Sequence, residues 1–394
     1  MPARRRSASG RPSEGEALKP EELAGLPEVA RLMVRLCEIP SPSREEGRVA
    51  ELVRAELAAM GAEVHEDDAA AALPAGCGNI VARFAPTAEG TPIMFGVHLD
   101  TVPVTDTIDV ELVDGYLANA HDAILGGDNK SAVAVVLQAM KQVVGEQRPH
   151  AGVELVFTPC EEIGLKGAAH FDPRPLHAAF GFVYDHTGPV GDIVGSAPSL
   201  HRIHATFVGR AAHAGITPES GRSAILAAAK AIGRMPLGRI DAETTANIGT
   251  VEGGTATNVI AERCTLTAEA RSRDERSLSV QLTAMLDAMT WAASECEVDL
   301  ETRVEREFSA YRVGEADPQV AMATSVLSAL GHTPRLVPSG GGSDVNAFIR
   351  NGFPAVNLCN GMIDVHTPDE RIAVRSLEQM LDVTLGLVDA ARAA

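Results

Sequence analysis

No stretch of this 394-residue chain holds the ~18 uninterrupted apolar residues that a membrane-spanning helix needs, so the sequence reads as soluble and not as an integral helical membrane protein. Positive charge is in short supply. The 34 Lys and Arg stand against 53 Asp and Glu, a formal net charge of -19. Such a balance repels a phosphate backbone, and no Lys/Arg cluster occurs beyond the extreme N-terminus, which argues against a nucleic-acid partner. Paired cysteines are also missing. Cys37, Cys77, Cys160, Cys264, Cys296 and Cys359 are scattered singly with no CxxC, which removes a zinc ribbon and a secreted disulfide framework and fits a reducing, cytoplasmic compartment. The N-terminal arginines have no apolar segment behind them, so residues 1–20 fail as a secretory signal and read as a disordered tail. There is no internal repeat and no heptad seam.

The length suits two or three domains with full cores. Apolar residues recur at helical spacing over 28–38 and 46–60, and β-rich runs follow at 79–84, 92–97, 153–157 and 181–184. The apolar segment 131–144 is long enough for a buried helix. Strands alternating with helices predict an α/β fold, an α/β/α domain with helices on both faces of a mixed, mostly parallel sheet. From His201 the texture changes. The segments HRIHATFVGR, SAILAAAKAIGRM, IGTVEGGTATNVI, CTLTAEARS, 278–296 and VDLETRVERE follow the order β-α-β-β-α-β, predicting a compact ferredoxin-like α+β insert over 199–311. The α/β pattern then resumes with a helix at 319–330, the turn SGGGSD, a helix at 345–350, the strand PAVNL and a closing helix at 376–391. This first domain is therefore expected to be discontinuous, 21–198 and 312–394, with the insert as a lid or dimerisation module.

The unusual polar residues fall at strand ends. His98 and Asp100 follow the strand at 92–97, Glu161 and Glu162 the one at 153–157, and Asp185 the one at 181–184. In open α/β sheets the ligand crevice lies beyond the carboxyl ends of the strands, so these side chains are expected to meet. With Asp128 in LGGDNKSA and His366 in DVHTPDE, the candidate ligands are His98, Asp128, Glu162, Asp185 and His366. Imidazole and carboxylate without thiolate suit zinc, cobalt or manganese, and two ions sharing one carboxylate would use all five donors. Asp100 is close enough to accept the second ring N–H of His98. Of two consecutive glutamates at a strand end one can ligate while its neighbour stays uncoordinated, which makes Glu161 the candidate general base. Each residue also has an ordinary reading. An HxD is commonly surface chemistry, Asp128 could cap the helix beginning near Ser131, and His366 could be a loop histidine; their joint recurrence at strand ends is what carries the argument. Gly340 to Gly342 either bring backbone N–H groups close to a substrate or form a tight turn.

The ordered motifs GVHLDTVP, LGGDNKSAVA, FTPCEEIGLKGA, the YDH turn, GGGSD and HTPDER resemble the co-catalytic zinc peptidase family of peptidase T, carboxypeptidase G-type enzymes, PepV-like dipeptidases and aminoacylases, and are most similar to its peptidase T-like branch. The resemblance implies that Asp128 bridges two divalent ions, with His98 and Asp185 on one and Glu162 and His366 on the other. It implies that Glu161 is the catalytic base, that Asp100 is the orienting acid, and that a cis peptide follows Asp128. It also implies a homodimer through the lid, in which His213 of GRAAHAG reaches the neighbouring active site, while Asn258 and Arg271 bind substrate. Arg271 suits a terminal carboxylate through its fork of donors. Taken alone, those three residues also read as a turn histidine, a strand-end turn and an edge-strand arginine. One departure is that YDHTGPVGD carries His186 and Thr187 where many relatives have small residues. The expected activity is metal-dependent hydrolysis of short peptides near their N-terminus, as in tripeptide aminopeptidases. The alternatives are an N-acyl amino acid deacylase or carboxypeptidase and, from another class, a non-catalytic scaffold that kept the fold.

Overall fold

The computed structural model describes residues 17–393. The expected tail over 1–20 therefore lies almost wholly outside the described residues; its last residue, Pro20, opens a short helix, Pro20–Gly25. Among the described residues the chain divides into two compact units, the first made of residues 17–193, 318–335 and 357–393, the second of Val194–Asp317 and Leu336–Val356.

In the first unit the sheet runs in the order Glu63–Glu66, Ile80–Phe84, Val153–Thr158, Ile93–His98, Phe180–His186. The first three strands pair antiparallel, and Ile93–His98 pairs parallel with both of its neighbours, so the sheet is mixed with a parallel centre. Ile93–His98 and Val153–Thr158 are buried at every position, the mark of strands covered on both faces. Gly127–Gly145 lies against Ile93–His98 and Phe180–His186 and is packed in turn by Glu28–Cys37 and Val374–Ala390. Helix Glu28–Cys37 buries Val29, Leu32, Met33 and Leu36 along one stripe, each such side chain stabilising the fold by about 1.5–3 kcal/mol. A smaller antiparallel sheet, Met362–Ile363, Arg371–Ala373, Tyr116–Asn119 and Val110–Val113 in that order, escaped the sequence reading because its strands have two to four residues.

The second unit contains an antiparallel sheet ordered Gly238–Arg239, Thr244–Gly253, Arg263–Ser272, Ser199–Val208, Asp299–Phe308, with helices Ala224–Arg234 and Glu275–Glu295 between its strands. Disregarding the two-residue edge strand, chain order and sheet order are those of a ferredoxin-like fold. One face alternates into the core through Ile203, Ala205, Phe207, Leu266, Ala268 and Ala270. The alanine stripe Ala224, Ala227, Ala228, Ala231 belongs to the same core, and side chains this small allow close approach of a helix to a sheet. Ser223 caps the first helix through Leu226 N–H, and Asp274 caps the second through Ser277 N–H. The strand expected over 248–260 ends at Gly253, and the following residues form a loop.

Candidate metal centre

Parallel pairing of Ile93–His98 with Val153–Thr158 and Phe180–His186 sets their carboxyl ends side by side. His98 is the last residue of its strand, Glu161 and Glu162 follow the second, and Asp185 lies near the end of the third. Asp128 enters from a kink: Asp128 and Asn129 have non-helical backbone angles inside Gly127–Gly145, and the peptide between them is cis. The Asp128 side chain thus faces the cluster and does not cap the helix. His366 lies on the loop between Met362–Ile363 and Arg371–Ala373, at φ 64, a left-handed conformation uncommon for any residue but glycine. Pairing of Arg371–Ala373 with Tyr116–Asn119 brings that loop to the segment leading into Asp128.

All five expected donors converge. His98 Nε2 lies 3.5 Å from Asp128 Oδ1 and 3.6 Å from Asp185 Oδ1. His366 Nε2 lies 3.4 Å from Asp128 Oδ2 and 3.0 Å from Glu162 Oε1. The two oxygens of Asp128 thus face different imidazoles. Among the described residues, His98, Asp128 and Glu162 present ligand atoms within 4.8 Å of one another. Asp128 Oδ1 and Glu162 Oε1 are buried and take part in no hydrogen bond, despite the ring nitrogens beside them. Buried carboxylate oxygens normally find donors, and oxygens that share a small space without bonding suit a cation between them.

The electrostatics agree with that donor set. Burial presses the His98 ring toward neutrality, but Asp100, Asp128 and Asp185 outweigh it and hold its pKa well above the ordinary value. Asp128 and Glu162 push His366 up to about 10. Burial opposes the charge on Asp128, yet His366 and His98 hold its carboxyl far below the usual range; burial raises the pKa of Glu162. Packed carboxylates that draw protons onto two imidazoles form a site that attracts positive charge.

The residues around the donors are organised by backbone amides. Asp100 is fully buried, and its carboxylate accepts from Glu161 N–H at 2.9 Å, Glu162 N–H at 3.1 Å and Ser43 Oγ at 2.6 Å. His98 Nδ1 meets the main-chain carbonyl of Asp100 at 3.0 Å, closer than the carboxylate at 3.6 Å. Asp100 therefore orients both glutamates directly, a role its spacing from His98 did not suggest. Glu46, also fully buried, accepts from Arg44, Gly76 and Cys160 N–H and so anchors the turn before Glu161. Asn357 clips the backbone of Asp185, accepting its N–H at 2.9 Å and donating to its carbonyl at 2.8 Å. Glu370 accepts from Gly126 and Asp128 N–H. Sequence reading missed Glu46, Asn357 and Glu370; the signal was polar residues inside otherwise apolar or motif-bearing segments, PAVNL and HTPDER among them. His186 turns its Nδ1 to the carbonyl of Thr187, with Cys359 Sγ 3.4 Å away.

In the second unit, His213 and Asn258 are exposed on neighbouring loops, joined by a bridge between His213 and Val259 and by Ala214 N–H to the Asn258 carbonyl. Arg271 is half-buried, and Glu269 holds its Nε at 2.8 Å and Nη2 at 3.0 Å. A side chain at Gly340 would meet open space, whereas a Cβ at Gly342 would come within 2.5 Å of the Phe308 ring. Gly341 N–H is spent on Ser339 Oγ, a turn contact.

Comparison with known proteins finds relatives along most of the chain. Residues 94–390 match the model of the peptidase family M20/M25/M40. The protein YqjE of Bacillus subtilis is 34% identical over 91% of this chain and 96% of its own length. A solved aminopeptidase PepT from Bacillus cereus shares 34% identity with a TM-score of 0.83, covering 92% of this chain and 98% of that one. A solved tripeptidase from Staphylococcus aureus also shares 34% identity, with a TM-score of 0.87 over 93% and 98% of the two chains. The family match spans the strand that ends in His98 and the loop that carries His366, and on it the chain belongs to the peptidase family M20/M25/M40, in its peptidase T-like branch.

Proposed function

We propose that this protein is a tripeptide aminopeptidase-like exopeptidase that holds two divalent cations, zinc ahead of cobalt or manganese, at His98, Asp128, Glu162, Asp185 and His366. The observation carrying this reading is Asp128, whose two carboxylate oxygens lie within 3.5 Å of different imidazoles, those of His98 and His366. Asp128 would be shared, with His98 and Asp185 completing one ion's protein ligands and Glu162 and His366 the other's. When bound, such a pair of cations polarises the scissile carbonyl and makes a water acidic near neutral pH. Glu161 takes the proton from the attacking water on its carboxylate and returns it to the leaving amine nitrogen. Asp100 keeps Glu161 in place by holding its amide.

Arg271 binds the terminal carboxylate of the peptide. Glu269 takes the Nε hydrogen and one of the two on Nη2, which leaves the Nη1 hydrogens and the second Nη2 hydrogen for the substrate. His213 contacts the scissile carbonyl across a homodimer formed through the insert at 199–311, and Asn258 binds substrate. The enzyme works in the cytoplasm. The solved relatives described as an aminopeptidase and a tripeptidase support this choice over a deacylase.

The test is a substrate panel. Metal-free protein supplied with zinc, cobalt or manganese is expected to cleave tripeptides with a free N-terminus and to spare the same peptides once acetylated; the reverse preference would overturn the aminopeptidase reading. Glu161→Ala should keep its ions and lose nearly all turnover, and an active variant would remove Glu161 from the mechanism.

A further inference from the structure

Glu370 takes no part in the chemistry above, yet it is 1% exposed, and each of its carboxylate oxygens is committed to the segment that delivers Asp128. Oε2 accepts Gly126 N–H at 2.9 Å and Oε1 accepts Asp128 N–H at 3.0 Å. These amides stand where the chain is not yet helical: Gly126 is left-handed at φ 72, and Asp128 has φ -82 and ψ 105. Amides at a helix start have no carbonyl of their own helix to bond, so an outside acceptor decides where they point. The acceptor here comes from the other ligand loop. Glu370 lies four residues after His366, its own N–H is tied to the Thr367 carbonyl, and the next residue, Arg371, pairs with Ala118 on the strand that leads toward Asp128. One buried carboxylate therefore joins the loops of two expected ligands that are 238 positions apart in the chain, 128 to 366.

We propose that Glu370 is a positioning residue that sets Asp128 and His366 as a pair before any ion arrives. The inference rests on the reading that the cluster holds divalent cations. Replacing the carboxylate by an amide places an N–H₂ against one of the two N–H groups whichever way it turns, so Glu370→Gln loses one anchor while keeping size and shape. Supporting groups of this kind change metal affinity by about 10–100-fold.

Two measurements decide it. In the first, chelator competition on folded Glu370→Gln should show zinc bound about 10–100-fold more weakly than in the wild type, with a changed absorption spectrum of the cobalt form. Glu370→Asp should recover part of the loss. Unchanged affinity and an unchanged cobalt spectrum in the folded variant would overturn the proposal, because a merely structural role would move only the unfolding midpoint. The second uses the wild type alone and so stands even where the variant does not fold. In metal-free protein the amides of Gly126 and Asp128 should exchange slowly with deuterium. Fast exchange that slows only on adding zinc would show that the ions, and not Glu370, order the loop. A wild type that takes up no ions at all would instead sink the cation reading on which the inference stands.

Discussion

At the scale of single residues, Asp100 ties the two consecutive glutamates together. Its carboxylate meets two backbone amides and a hydroxyl, which makes it the side chain that aims Glu161 and Glu162. In Asp100→Asn whichever oxygen becomes the amide nitrogen faces a backbone N–H, of Glu161 or of Glu162, that also donates. A displacement of the order of an ångström at the proposed base, Glu161, costs about 100-fold in rate, so kcat should fall by about that factor while bound metal stays near the wild-type level. Steady-state kinetics beside metal analysis of the same sample checks it, and loss of both together would mean that Asp100 mainly supports the ligands. The convergence of His98, Asp128, Glu162, Asp185 and His366 was legible in the sequence for a physical reason. Imidazole and carboxylate directly after an apolar strand run have no business in a buried place unless something there binds them, and His98, Glu162 and Asp185 all stand so. Glu46, Asn357 and Glu370 were not legible, because they recognise backbone amides, which leave no residue pattern at the other end of the bond.

At the scale of elements, long periodic segments were readable and short ones were not. The helix expected over 28–38 is Glu28–Cys37, and the one expected over 46–60 is Gly47–Ala59. The helix expected from Ser131 is assigned from Gly127, but its backbone turns regular only after Asn129, since the polar LGGDNK run bends to deliver Asp128. The strands of two to four residues around His366 carry no periodicity and are held by their pairing partners. In the second unit, helix Ala224–Arg234 depends on one side chain for its first turn, Ser223 Oγ accepting Leu226 N–H at 3.2 Å. Ser223→Ala should lower stability by about 1 kcal/mol, read as a shift of the urea midpoint with an unchanged slope. An unchanged midpoint would mean that water replaces the cap without cost.

At the scale of the whole molecule, the six cysteines report on packing. Five are buried and Cys296 is half-buried, so a thiol reagent should modify one residue quickly in the native protein and the others only on unfolding. Burial pushes the thiols of Cys37 and Cys359 up to about 12 from an ordinary 9.0. Between those values the unfolded chain has released protons that the folded chain still holds, so stability must fall as pH rises through that window. Urea unfolding at pH 8 and at pH 10.5 tests the sign, and Cys37→Ala should flatten the dependence; a steeper one would contradict it. The two units also differ in how far a reader of the sequence can follow them. The β-α-β-β-α-β order of the second is a local pattern within one stretch of chain, whereas the mixed sheet of the first gathers strands whose partners are set only by the fold.

The segments that converge in the first unit stand at 98, 128, 161–162, 185 and 366, with the whole β-α-β-β-α-β stretch translated between the fourth and the fifth. A nascent chain leaving the ribosome therefore displays four of the five segments early and must wait through more than a hundred further codons for the histidine that completes the set. On the proposed reading the full set of ligands exists only late in synthesis, and a product ending before residue 366 would carry it incomplete.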